Sequence, residues 1–208
     1  MDERLRATAS ATIGFMPEHE GLGLFAAARA VAPLGPLLEI GSYCGKSALY
    51  LGAAAQEQGS ILYSVDHHRG SEEHQPGQQF HDTRLIDGMG RLDTLPTFRR
   101  TIEEAGLADI VIPIVGRSAL VATFWTTPLA LVFIDGGHSL EAAVADYEGW
   151  APRVMKGGSL VIHDVFERPQ DGGRPPFEIY QRALRSGAFE EGSRTDSLRV
   201  LRRVADGL

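Results

Sequence analysis

"LLEIGSYCGKSALY", residues 37–50, is an apolar run that stops at Gly41, reaches a second glycine at Gly45 and continues through Lys46 and Ser47. A buried strand that breaks at glycine and restarts as a helix is a common ligand-holding turn in α/β proteins. The spacing decides which ligand fits. A phosphate-cradling loop needs G-x-x-x-x-G-K-[ST]. Here Gly41 and Gly45 are one residue too close for it, and Ile40 stands where the first glycine belongs. The shortened loop cannot build the same nest of N–H groups, which disfavours a nucleoside triphosphatase. The dinucleotide fingerprint G-x-G-x-x-G fails too, because residue 43 is Tyr. What remains is E-x-G-x-x-x-G, from Glu39 to Gly45, with Asp66 closing the next apolar run. Those glycines allow close backbone approach, and Asp66 has two oxygens for a ribose diol. A glycine-rich turn that holds nothing is the competing reading.

Outward from this stretch, five β-like runs recur: 36–41, 61–66, 110–115, 129–135 and 159–164. They are almost continuously apolar, as strands covered on both faces are. Helical patterns lie between them near 45–58, 94–105, 118–125 and 139–151. In the last, Leu140, Val144, Tyr147 and Ala151 share one face. The alternation predicts a doubly wound parallel sheet. The tail, "GAFEEGS" and "SLRVLRRV", predicts an antiparallel hairpin at one edge. We expect one domain: an N-terminal lid or acceptor segment (1–33), a core (34–166), and a C-terminal helix and hairpin (167–208).

The composition narrows the possible functions. The chain has 208 residues, a net charge of −7 and a single cysteine. The acidic balance argues against a nucleic-acid surface. One cysteine excludes an internal disulfide and a cysteine-built zinc cage. No run is apolar enough to cross a membrane, and the charged N-terminus lacks a signal-peptide core, so a cytoplasmic location is expected.

Three of the five strand runs end in an acid: Asp66, Asp135 and Asp164. In an open α/β sheet, strand ends converge on one crevice, which brings these carboxylates together. "LLEIGSYCGKSALYLG", "SVDHH" and "LVFIDGGHSLEAAVADYEGWAPRVMKGGSLVIHDVF" resemble the class I S-adenosylmethionine-dependent methyltransferases. Within these they are similar to the macrocin-type sugar O-methyltransferase branch. The resemblance runs from about residue 34 to 166. It implies a Rossmann-like, seven-stranded sheet of order 3-2-1-4-5-7-6 with strand 7 antiparallel. It implies that Glu39, Gly41, Ser42, Gly45 and Ser47 surround the methionine end and ribose of S-adenosylmethionine. Asp66, with His67 beside it, would hold the ribose hydroxyls. Gly116 and Ser118 would lie against the adenine, and Asp135 would border the cofactor.

A sugar hydroxyl is a poor acid, so methylating it calls for a base or a metal ion. The resemblance implies Mg²⁺ held by Asp135 and Asp164. His163 occupies a position where related metal-dependent enzymes carry an acid, and it is a third candidate ligand. Asp135 and His138 are the candidate catalytic residues, with His138 placed to accept a proton. Phe15, Met16 and Glu20 in the N-terminal segment, and His68 and Arg69 in the long polar loop 66–82, are candidate acceptor contacts. The expected partners are a small-molecule or oligosaccharide acceptor and a second copy of the chain. Three other readings compete. A phenolic or macrolide acceptor would replace the sugar. An iron-dependent oxygenase would use His163, Asp164 and a loop histidine. A non-catalytic cofactor-binding protein would bind the nucleoside without turnover.

Overall fold

The computed structural model describes every residue except 72, 73, 76, 79, 138, 169 and 208. Its centre is β1 (Leu37–Ile40), buried at all four positions. On one side of β1 lie β2 (Leu62–Asp66) and then β3 (Val111–Val115). On the other lie β4 (Leu129–Ile134), β5 (Val154–Ile162), β7 (Leu198–Arg203) and β6 (Phe189–Thr195). The order β3-β2-β1-β4-β5-β7-β6 is that of the class I methyltransferase fold. β1 to β5 run parallel, and β7 is antiparallel to both β5 and β6. Strand order reverses between β1 and β4, which opens a crevice beyond their carboxyl ends.

Alternation along the central strands feeds two cores. Leu37, Leu131 and Phe133 face one side. There they meet α1 (Glu3–Ala11), α2 (Glu18–Val31), α3 (Lys46–Glu57) and α4 (Leu95–Ala105). Leu38, Ile40, Val132 and Ile134 face the other. There they meet α5 (Ser118–Thr123), α6 (Leu140–Trp150) and α7 (Pro175–Arg185). Among the described residues, no helix is long and apolar enough to cross a membrane.

Two sequence expectations are corrected. The inward face of α6 is Ala143, Asp146, Tyr147 and Trp150, whereas Leu140 is exposed. Of the expected face, Tyr147 and Ala151 are buried and Val144 packs against the core; Trp150 fills the rest, with its indole N–H reaching Ser118 Oγ at 2.7 Å. β5 begins five residues earlier than the apolar run suggests. Gly157 and Gly158 form an irregularity within the strand, where a Cβ on Gly158 would stand 2.5 Å from the Ala130 carbonyl.

Candidate active site

The turn after β1 is shaped by one side chain. Asp66 Oδ2 accepts the backbone N–H groups of Ser42 and Tyr43, each at 2.9 Å, and its Oδ1 accepts that of His68 at 2.7 Å. The carboxylate therefore ties the carboxyl ends of β1 and β2 together while still lining the cavity. Gly41 has φ +84°, and a Cβ there would lie 2.1 Å from the Asp135 carbonyl oxygen. Only glycine lets the loop press against the backbone following β4. Glu39 lies beneath the turn, fully buried, and accepts from Ser47 Oγ at 2.7 Å and Ser64 Oγ at 2.5 Å. Burial pushes its carboxyl up to about 8, with the two hydroxyls opposing and Asp135 and Asp66 adding to the rise. Cys44, in the same turn, is buried, and its thiol is raised to about 12 by that burial, so it stays protonated.

Beyond β4 and β5 the second cluster forms. His163 is 5% exposed. Its Nδ1 lies 3.1 Å from Asp135 Oδ1 and 3.5 Å from Asp164 Oδ1, and its Nε2 lies 2.9 Å from Glu20 Oε2. Burial opposes charge on the ring. The adjacent carboxylates of Asp135, Asp164 and Glu20 outweigh it and hold the imidazole far above its ordinary pKa. One atom each from Asp135, His163 and Asp164 fall within 4.8 Å of one another, a spacing that could hold a metal ion. The donor set of two carboxylates and one imidazole fits a divalent cation. Asp164 adopts φ +55°, a left-handed conformation uncommon for a residue with a side chain and one that clusters at functional sites.

Both halves line one cavity of about 1120 Å³. Gly41, Ser42, Ser47, Asp66, His67, Gly116, Ser118 and Asp135 all border it, as do Phe15, Met16, Glu20, His163 and Asp164. Gly45 and Glu39 lie behind the wall; Gly45 has φ +94° and faces Phe98 and Thr101. The structure turns two expected acceptor contacts away. His68 is buried against Phe98, with Nδ1 2.8 Å from Thr94 Oγ1. Arg69 reaches outward to Asp87 at 3.1 Å and to the Leu92 carbonyl at 2.9 Å. His138 lies outside the described residues.

Three features of the wall escaped the sequence. Asp146 lines the cavity beside Gly136, bonds Ser118, and is raised to about 6 by burial against that hydrogen bond. The signal available for it was an acid set among apolar residues of α6. Lys46, in the first turn of α3, reaches the Gly14 carbonyl at 3.3 Å and so anchors the N-terminal segment. Phe15, Tyr43, His74 and Phe80 form an aromatic cluster on the wall, with Phe15 and Phe80 centroids 4.7 Å apart.

Residues 38–165 match the family model described as a methyltransferase domain, and the chain belongs to that family. Solved structures with the same fold include cofactor-bound Rv0187 from MTB (TM-score 0.67, 18% identity, covering 96% of this chain and 87% of that one). They also include the O-methyltransferase TomG from Streptomyces achromogenes in complex with SAM (TM-score 0.65, 16% identity, 99% and 91%). A third is the SAH-bound methyltransferase PaMTH1 from Podospora anserina (TM-score 0.70, 13% identity, 99% and 89%).

Proposed function

We propose that this protein is an S-adenosylmethionine-dependent O-methyltransferase acting on a sugar hydroxyl, assisted by a divalent cation. The observation that carries the reading is the continuity of one cavity from the glycine turn and Asp66 to Asp135, His163 and Asp164. Its volume of about 1120 Å³ exceeds the usual range for one small ligand, leaving room for a nucleoside cofactor and an acceptor together. The sulfonium cofactor supplies an already activated methyl group. A cation held by Asp135, Asp164 and His163 would supply Lewis acidity, for which Mg²⁺ is the first candidate.

The remaining work falls to the chain's own residues. Asp66 and the loop it pins present backbone N–H groups and a carboxylate to the ribose. Ser118, Gly116 and Asp146 form the wall for the base. Asp135 and Asp164 would hold the cation whose charge favours loss of the acceptor hydroxyl's proton, and His138 is the proposed base. Met16 and Phe15 close the cavity over the acceptor, which lets the segment before α2 serve as a lid. Alignment of hydroxyl and methyl is the main source of rate.

The polar loop "DHHRGSEEHQPG" resembles that of the mycobacterial methylmannose polysaccharide 1-O-methyltransferase. That resemblance favours the reducing-end 1-OH of short 3-O-methylated mannosides as the acceptor. The aromatic cluster of Phe15, Tyr43 and Phe80 supports a second reading, a phenolic or macrolide acceptor stacked on those rings.

Calorimetric titration with S-adenosylhomocysteine, ATP and NAD tests the cofactor, with micromolar binding of the first alone expected. Methyl transfer to short methylated mannosides and to phenols, with and without EDTA, then tests the acceptor. Folded protein that fails to bind S-adenosylhomocysteine overturns the assignment. Transfer confined to phenols moves the second reading to the front.

A further inference from the structure

Glu20 is 3% exposed, and its two carboxylate oxygens have different partners. Oε1 accepts three hydrogen bonds: the Ser197 N–H at 2.6 Å, the Ser197 hydroxyl at 2.7 Å and the Leu198 N–H at 3.2 Å. Oε2 faces His163 Nε2 at 2.9 Å. An ionised carboxylate can only accept, so Nε2 keeps its proton, and Nδ1, which faces Asp135 and Asp164, is the ring atom that would give up its proton to a bound cation. The distances from Nδ1 to those oxygens, 3.1 and 3.5 Å, are close to the spacing of neighbouring ligands on a six-coordinate ion. With bonds of about 2.1 Å, that spacing is about 3 Å.

We infer that Glu20 is a positioning residue which fixes the His163 tautomer, and that the mixed oxygen–nitrogen site so formed selects a borderline cation of the Mn²⁺ class over Mg²⁺. The inference rests on the cation-assisted reading above and revises its first candidate ion. Mg²⁺ favours all-oxygen octahedra, whereas imidazole suits first-row transition ions. A carboxylate taking the far N–H of a ligating histidine is a recurrent outer support of such sites, and its loss costs about 10–100-fold in metal affinity.

Glu20→Gln keeps the volume and inverts the tautomer. The three donors from Ser197 and Leu198 hold the amide oxygen in place of Oε1, so the NH₂ faces Nε2 and makes it an acceptor. Nδ1 then carries the proton and cannot ligate. Metal-stripped, S-adenosylhomocysteine-loaded protein is titrated calorimetrically with MnCl₂ and with MgCl₂. The spin-echo spectrum of bound Mn²⁺ is read for nitrogen modulation. Wild type is expected to prefer Mn²⁺ by about tenfold or more and to show histidine nitrogen coupling. Glu20→Gln is expected to lose about 10–100-fold in Mn²⁺ affinity and the nitrogen signal, with nucleoside binding and circular dichroism unchanged. His163→Asn, which offers an amide oxygen, should bring the Mn²⁺/Mg²⁺ ratio towards one, and it decides the matter if Glu20→Gln does not fold. Equal affinities in wild type, Glu20→Gln binding Mn²⁺ as wild type does, or an unchanged ratio in His163→Asn overturns the inference alone. Binding of neither ion by wild type that still holds the nucleoside overturns the cation-assisted reading itself.

Discussion

Asp135 meets the two halves of the site with different atoms. Its carboxylate faces His163 at 3.1 Å, while its carbonyl oxygen abuts Gly41. The side chain can therefore be changed without moving the loop that receives the nucleoside. Asp135→Ala is expected to abolish methyl transfer, with S-adenosylhomocysteine affinity within about threefold of wild type by calorimetry; the isosteric Asp135→Asn separates lost charge from lost packing. Loss of nucleoside binding in folded Asp135→Asn would reassign the residue to the cofactor. Glu39 makes a different prediction. Its folded carboxyl titrates at about 8, above the ordinary carboxylate value of 4.5. A raised folded pKa means that the native state binds the extra proton, so this contribution is full below pH 4.5 and is lost as pH rises through 8. Denaturant melts across that window should show wild type losing stability relative to Glu39→Gln, which has nothing to lose. Asp66 and Asp135 were legible as strand-ending acids. Glu20 was read as a polar acceptor contact; its tie to His163 was not legible, because the two lie 143 residues apart and no local pattern links them.

The turn from β1 to α3 is the most constrained element of the site, and its sequence shows why. Gly41 and Gly45 both have φ near +90°, and Tyr43 between them is also left-handed, at φ +46°. Strand, turn and helix were read to within about a residue because burial on both faces and the glycine spacing agree. Gly41→Ala places a methyl group against the Asp135 carbonyl, a backbone atom that cannot yield cheaply. We expect a loss of about 2–4 kcal/mol in unfolding free energy, together with nucleoside binding, measured by urea melts and calorimetry. A variant that melts like wild type would mean the loop relaxes. The segment before α2 behaves differently. Phe15 is 58% exposed and contacts only cavity-wall rings among its described aromatic partners. Phe15→Ala should leave stability within about 0.5 kcal/mol and raise the acceptor KM with kcat little changed. An altered kcat with unchanged KM would remove Phe15 from the acceptor wall. Along α6 only Leu140 was misplaced, and the buried acid Asp146 was missed because periodicity counts apolar residues.

Across the molecule, the cavity exists only when distant segments meet: the stretch before α2, the β1 turn, the ends of β4 and β5, and the β6–β7 turn at Ser197. The sheet order followed from the resemblance and the alternating pattern, but the cavity's closure did not, since it depends on how Glu20 joins α2 to β5 and to the hairpin. A site assembled this way ties ligand binding to global folding, because the unfolded chain holds none of it. At a concentration 100 times its dissociation constant, a ligand bound only by the native state adds about 2.7 kcal/mol. For a chain of 208 residues, each kcal/mol raises Tm by about 2–4 °C. S-adenosylhomocysteine at that excess should therefore raise Tm by roughly 5–10 °C in a thermal melt, and ATP and NAD at equal concentration should not. Asp66→Ala frees the N–H groups of Ser42, Tyr43 and His68 from their common acceptor, so the loop must be ordered at the ligand's expense and the shift should shrink. A shift of full size in Asp66→Ala would mean that the glycines alone shape the turn and that the carboxylate which closes β2 is dispensable to it.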